Sequence, residues 1–405
     1  MAKLTLDNLI ERNLIKGKKV LVRVDFNVPL DESRKITDPK RINESLATIN
    51  AITKNGGKCI LMSHLGRPKG EKNPKYSLNV VAEFFASVLG KPVLFSDDCI
   101  GPDNKIVIDN MKEGDILLIE NLRFYKDEEK NVPEFAEKLA SFGDIYVNDA
   151  FGTAHRAHAS TEGITHFIKQ CAAGYLMEKE LKYLASAIDN PKRPLCAILG
   201  GSKISGKIDV LDNLLKIADK ILIGGGMMFT FYKAMGLEIG KSILEEDKVE
   251  LAKEVLEKVK TSGKEFLLPS DIVIADKFDN SAKTKIVAFD KFSDDNKEWM
   301  GMDIGPETID KYKEAILNSK TIVWNGPMGV FEMDKFANGT FEVANALAEA
   351  TKNGAVTIIG GGDSAAAIAK AGLEKEVSHV STGGGASLEF LEGKKLPGVE
   401  ALSDI

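Results

Sequence analysis

Two groups of residues in this 405-residue chain have the types and spacing for chemistry. The first is basic. Residues 63–70, SHLGRPKG, gather His64, Arg67 and Lys69 into one short loop after an apolar run. Similar loops follow other apolar runs: RVDFNVP (23–29) with Asp25 and Asn27, ENLRFYKDEE (120–129) with Arg123, and NDAFGTAHRAHAS (148–160) with His155, Arg156 and His158. Arg41 lies early in a helix announced by Thr37, Asp38 and Pro39. Any one of these arginines taken alone is an ordinary surface residue. Converging guanidinium groups, however, form a planar donor site for carboxylate or phosphate. His155 and His158 have too few companions for a metal site, so they suit anion contact or packing.

The second group is rich in glycine: LGGSKISGK (199–207), IGGGMMF (223–229), WNGPMGVFE (324–332), IGGGDSA (359–365) and STGGGAS (381–387). A tri-glycine after a strand lets backbone N–H groups approach an anion, and a following helix adds its positive end. One such loop is a tight turn; several on one sheet edge can surround one phosphate-bearing ligand. Two familiar motifs nearly match. GSKISGKI (201–208) ends in Ile208, where a P-loop needs a hydroxyl for magnesium, and is rejected. GGGDSA (360–365) fits the dinucleotide fingerprint, but Asp363 repels a pyrophosphate at the helix start. That carboxylate caps the helix or holds a cation bridging phosphates. Lys203 and Lys207, four apart at the start of an expected helix, share a face; like charges there are unfavourable without an anionic partner.

The elements that must position these loops are short apolar runs alternating with helical patterns. Strands are expected at 18–24, 57–63, 115–120, 144–149, 195–200, 220–225, 321–326 and 355–361. Helices are expected at 40–55, 77–89, 133–142, 203–217, 246–260 and 338–352. Successive apolar positions favour strands covered on both faces. The alternation predicts an α/β protein of two domains, each a mostly parallel doubly wound sheet flanked by helices. Ligands then bind beyond the carboxyl ends of the strands. The loop types divide the chain into a basic half and a glycine-rich half, with the boundary in a helical connector over 172–190.

A net charge of −6 offers no whole-chain basic field for nucleic acid or membrane surfaces, and the basic loops lack interleaved stacking aromatics. Four scattered cysteines (Cys59, Cys99, Cys171, Cys196) form no C-x-x-C pair and suit a reducing compartment. The first residues, MAKLTLDNLIERN, carry charges throughout and have no signal-peptide core, and no run reaches membrane-spanning length. A cytoplasmic protein is expected.

These segments, in order from about residue 20 to residue 393, resemble the phosphoglycerate kinase family: VRVDFNVP, SHLGRPKG, ENLRF, NDAFGTAHRAHAS, ILGGSKISGKI, GGGMMFTF, DIGPET, WNGPMGVFE, TIIGGGDSAAA and STGGGASLEFLEG. The resemblance implies reversible phosphoryl transfer from 1,3-bisphosphoglycerate to Mg-ADP, giving 3-phosphoglycerate and ATP. It implies a cytoplasmic monomer of two similar-sized domains that close around the substrates about the 172–190 helix as hinge. It also implies that the last residues return to the N-terminal domain, so that 1–172 plus 393–405 form one domain and 173–392 the other. It places the triose ligand on Asp25, Asn27, Arg41, His64, Arg67, Arg123 and Arg156. The nucleotide falls to Lys203, Lys207, Gly225, Gly226, Gly301, Asn325, Glu332, Gly361, Gly362, Asp363, Ser364 and Thr382. Glu332 would take the ribose hydroxyls and Asp363 the magnesium. Arg41, Lys203, Lys207, Gly361 and Gly384 would serve the transferred phosphoryl group, which needs placement and charge compensation rather than a nucleophile. Gly206 departs from the acidic or polar residue many relatives carry before the second lysine. Two other readings stay open on the residues: a dinucleotide-dependent oxidoreductase, and a non-catalytic phosphate-ligand binding protein.

Overall fold

The computed structural model describes residues 3–292 and 294–405; Met1 and Ala2 of the N-terminal segment read above lie outside them. The chain divides into two compact units, Met1–Leu181 with Lys395–Ile405, and Lys182–Lys394.

The first unit is built on six strands: β1 (Lys19–Arg23), β2 (Lys58–Met62), β3 (Leu94–Ser96), β4 (Ile116–Ile119), β5 (Ile145–Asn148) and β6 (Cys171–Ala173). They pair in the order β3-β4-β2-β1-β5-β6, every ladder parallel. The strand centres are apolar at consecutive positions because both faces are covered: Val20, Leu21, Val22, Ile60, Leu61, Leu117 and Leu118 are all fully buried. Each such side chain contributes roughly 1.5–3 kcal/mol on leaving water. The chain end closes this unit. Ser403 accepts from Leu4 N (2.7 Å) and donates to Cys171 O (2.9 Å), and Gly398 N donates to Ala154 O (2.8 Å).

The second unit has β7 (Leu195–Leu199), β8 (Lys220–Ile223), β9 (Glu265–Leu267), β10 (Asp271–Ala275), β11 (Thr284–Ala288), β12 (Met300–Ile304), β13 (Thr321–Asn325), β14 (Val356–Gly360) and β15 (His379–Val380). Six of them form a parallel sheet in the order β15-β14-β13-β7-β8-β9. The other three form an antiparallel sheet, β11-β10-β12.

All eight expected strands form within their expected spans. The antiparallel sheet was not foreseen. Its outer strand β11 is largely exposed, with Ile286 58% accessible, so it lacks the continuous apolar run that marks a covered strand. β3, β6, β9 and β15 are too short, at two or three residues, to register in a window.

Two boundaries move. β6 pairs with β5, and the helix Tyr175–Ile188 continues unbroken through Leu181 and Lys182, so the division falls inside that helix rather than at 172/173. The helix expected from 203 begins at Ile208. Lys207 sits before it with φ −129°, and the preceding turn is held from outside: Glu245 accepts from Ser205 N (3.0 Å) and Ser205 Oγ (2.5 Å). Lys203 and Lys207 are therefore loop residues, and the shared helical face does not exist.

Truncating a covered strand tests this packing. Leu118→Ala should cost about 2–5 kcal/mol in urea unfolding, the usual range for a buried leucine. A loss under about 1 kcal/mol would contradict a filled, doubly covered sheet.

Candidate functional site

In the first unit the basic loops leave the carboxyl ends of β1, β2, β4 and β5, which are consecutive neighbours in the sheet. Adjacency in space thus comes from strand order, not chain order. Past β1, Asp25 is buried and accepts from Arg41 Nη1 at 2.8 Å, while the same nitrogen donates to Asn27 O at 3.2 Å. Asn27 Oδ1 accepts from Gly66 N at 2.8 Å and so ties the first loop to the second. Arg123 reaches back from the β4 loop to Gly66 O (3.3 Å) and pairs with Glu129 at 3.4 Å. Gly66 has φ +62°, and a Cβ there would meet the Tyr76 ring at 2.4 Å, so no other residue allows this close approach.

The structure brings Asp25, Asn27, Arg41 and Arg123 into this network, with His64 near enough for the charges of Arg123 and Arg41 to act on it. Arg67 is exposed and makes no hydrogen bond to the described residues. Arg156 is exposed, with Nε donating to His155 Nε2 at 3.2 Å, and its field reaches Arg123 and His158.

Sequence reasoning read only Arg123 from ENLRF, yet its neighbours build the site. Glu120 accepts from Leu78 N (2.8 Å), Ser77 Oγ (2.7 Å) and Asn121 N (2.7 Å). Asn121 Nδ2 donates to Leu65 O (2.7 Å) and Tyr76 O (2.9 Å). Asn121 thus staples the SHLGRPKG loop, and Glu120 holds Asn121 together with the segment at Ser77 and Leu78. Arg23 was also missed. It lies at the end of β1, fully buried, donating from Nε to Ser160 Oγ at 2.8 Å and from Nη2 to His64 Nδ1 at 3.2 Å, and also to Val24 O. The signal was an arginine inside KKVLVRV, a strand otherwise reading as core.

Burial first, and positive charge second, set the titrations here. Burial, then Arg23, Arg123 and Arg41, holds His64 well below the usual histidine range. Burial, then Arg23, Arg123 and Arg156, push His158 down to about 3. Glu128, fully buried, accepts from Ser160 Oγ (2.6 Å) and Ser160 N (3.0 Å) and supplies the counter-charge to Arg23.

In the second unit two chambers share Gly201, Ser202 and Asp363. The smaller, about 210 Å³, is polar and lined by Lys203, Lys207, Asn325, Gly361, Gly362 and Ser364 among others. The larger, about 440 Å³, is mostly apolar. It takes Gly225, Gly226, Gly301 and Glu332 with Phe278, Ile243, Met300 and Met328. Those apolar side chains were missed; the exposure of Phe278 (61%) and Ile243 (46%) marks them, but only the tertiary structure brings them together. Gly225 has φ +65°, and a Cβ would strike Gly201 N at 2.5 Å, so two strand-end loops touch through bare backbone.

Two expected residues are engaged internally. Ser364 is buried and its hydroxyl accepts from Gly326 N at 2.6 Å. Asn325 Oδ1 accepts from Lys207 Nζ, leaving its Nδ2 buried without a protein partner. Thr382 and Gly384 follow β15 and line neither chamber. Asp363 is exposed in the first turn of the helix Gly362–Lys370, and among the described residues no backbone N–H donates to its carboxylate. It caps nothing, and its field acts instead on Lys207. No cluster of three metal-ligating side chains occurs among the described residues. A lone carboxylate beside a phosphate-sized chamber nevertheless fits magnesium, which takes few protein ligands when phosphates supply the rest.

Strand-end anion loops on one sheet and a glycine-lined bipartite cavity on the other define a two-unit, doubly wound α/β protein of the phosphate-ligand-binding kind. A family model described as phosphoglycerate kinase matches residues 10–394, and the chain belongs to that family. It is 62% identical over 388 residues to the phosphoglycerate kinase of Chloroherpeton thalassium, covering 96% of this chain and 97% of that protein. It is 58% identical over 390 residues to that of Chlorobaculum tepidum, covering 96% and 98%. Among solved structures it resembles phosphoglycerate kinase from Coxiella burnetii, with a TM-score of 0.89, 39% identity and 98% of each chain covered.

Burial lowers the Lys207 ammonium to about 8, against the opposing fields of Asp363 and Glu392. The charged form should therefore be lost as pH rises through about 8. Inorganic pyrophosphate affinity should fall above that point by up to about tenfold per pH unit, measured by titration calorimetry. Lys207→Arg should abolish the fall; an unchanged profile would remove Lys207 from anion binding.

Proposed function

We propose that this chain moves the acyl phosphate of 1,3-bisphosphoglycerate to Mg-ADP, giving 3-phosphoglycerate and ATP, with the triose on the first unit's basic loops and the nucleotide in the second unit's two chambers. The observation that carries the reading is the match to the phosphoglycerate kinase family over residues 10–394, on a chain with one anion-receptive loop cluster in each unit.

In this reading Arg67, Arg123, Arg156 and His64 hold the triose phosphate and carboxyl groups, and Asp25 and Asn27 orient its hydroxyl. Arg41, already held by Asp25 at 2.8 Å, is aligned for the group in flight. The apolar chamber takes adenosine, with Glu332 at the ribose. Lys203, Lys207 and the Gly361 and Gly362 backbone take the phosphates. Asp363 holds the magnesium that enters with the nucleotide and lowers its phosphate charge.

A β-phosphate oxygen of ADP forms the new P–O bond as the bond to the triose carboxyl oxygen breaks, and the electron pair leaves on the carboxylate. No proton and no protein nucleophile is required. Catalysis comes from in-line placement and from cations facing the equatorial oxygens. Thr382 and Gly384, which line neither chamber, join through their backbone when nucleotide is bound. The half-sites belong to separate units, so transfer requires the units to close around both substrates and exclude water. The enzyme is read as a cytoplasmic monomer, in keeping with four reduced, buried thiols.

Arg41→Ala should lower kcat by about a hundredfold or more while ADP affinity changes less than about threefold. Equal loss in both would refute its assignment to the transferred group. Small-angle scattering should show a smaller radius of gyration with 3-phosphoglycerate and Mg-ATP together than with either alone. An unchanged radius would count against closure.

A further inference from the structure

We propose that Arg23 is a positioning residue that locks His64 as the neutral Nε2–H tautomer, so that His64 meets the ligand as an uncharged hydrogen-bond donor. The inference rests on the placement of the triose in the first unit. A guanidinium has five N–H donors and no acceptor, and it stays protonated in proteins. Its Nη2 lies 3.2 Å from His64 Nδ1, so that nitrogen must accept and cannot carry the ring proton. A neutral ring then has its proton on Nε2. Nε2 takes no partner among the described residues and is not among the sealed, unsatisfied atoms, so it keeps access to solvent on a residue only 4% exposed.

The arginine cannot turn away. It is fully buried, Nε donates to Ser160 Oγ at 2.8 Å and Nη1 donates to Val24 O. Ser160 in turn is fixed by two bonds to the buried carboxylate of Glu128. The charged and titratable groups acting on His64 are Arg23, Arg123, Arg41 and His158, none of which favours a second proton on the ring. A doubly protonated ring would lose the Arg23 bond and set two cations together. The basic cluster thus contains one neutral member, which donates to an anion without adding charge or a pH dependence near neutrality.

Long-range ¹⁵N–¹H NMR of the imidazoles, with His64 assigned through His64→Gln, tests this on the whole chain. Wild type should show a bare Nδ1 and a protonated Nε2 from about pH 5 to about pH 8, where an ordinary histidine would titrate. An Nδ1–H ring or an imidazolium in that range would overturn the proposal. Arg23→Met should mix the tautomers or restore titration, with Mg-ADP affinity unchanged as the check on folding; an unaltered ring would overturn the role of Arg23. If that variant does not fold, a contrast at His64 still decides. His64→Gln keeps an N–H near the Nε2 position and should raise KM for 3-phosphoglycerate less than about threefold. His64→Asn keeps only the inner acceptor and should raise it about tenfold or more. Equal effects would overturn the donor assignment. Adding 3-phosphoglycerate should shift Nε2. No shift, with the tautomer as stated, would refute the triose placement and leave the Arg23 lock standing.

Discussion

Each β–α–β passage here lays a helix over one face of a sheet whose strands are apolar on both faces, and the sheet is stable only when both are covered. With the faces occupied, polar chemistry is confined to the strand ends. Because the strands are parallel, their carboxyl ends lie on one edge, and every loop leaving that edge reaches the same space. The basic network and the glycine-lined chambers are both consequences of that geometry, repeated in two units with different loop chemistry.

What separates the units electrostatically is how they treat charge. The first concentrates cations and lets burial disarm the histidines among them, so His64 and His158 stay neutral while Arg41, Arg67 and Arg156 carry the field. Its fully buried Arg23 is linked through Ser160 to a sealed carboxylate, Glu128. The hydrogen-bond chain from Arg23 through Ser160 to Glu128 gives the buried guanidinium partners and a compensating charge, which is how a charge can sit inside this core at all. The second unit uses few cations and much bare backbone. Gly225 packs on the bare backbone of Gly201, where a Cβ on residue 225 would collide, so two strand-end loops meet with no side chain between them. Lys207, half withdrawn into this surface against Asn325, is the exception whose charge the fold itself weakens.

The misread parts share a cause. Lys203 and Lys207 look helical by spacing, but a glycine at 206 and the external hold of Glu245 on Ser205 keep that segment a loop. The antiparallel sheet escapes a search for buried strands because one of its strands is mostly wet. The apolar chamber is lined from segments as distant as Met228, Phe278 and Met328, whose meeting no local pattern encodes.

The order of elements, the two parallel sheets, the loop chemistry and the family were legible in the chain itself, because apolar periodicity and strand-end residues are local properties. Which loops become neighbours was not, since the strand order β3-β4-β2-β1-β5-β6 differs from the order along the chain. Nor could the sequence tell that Arg23 points inward onto His64, that Ser364 faces Gly326, or that Asp363 is left unbonded at a helix start. Those outcomes depend on which groups lose water and which find partners, and only the packed structure decides that.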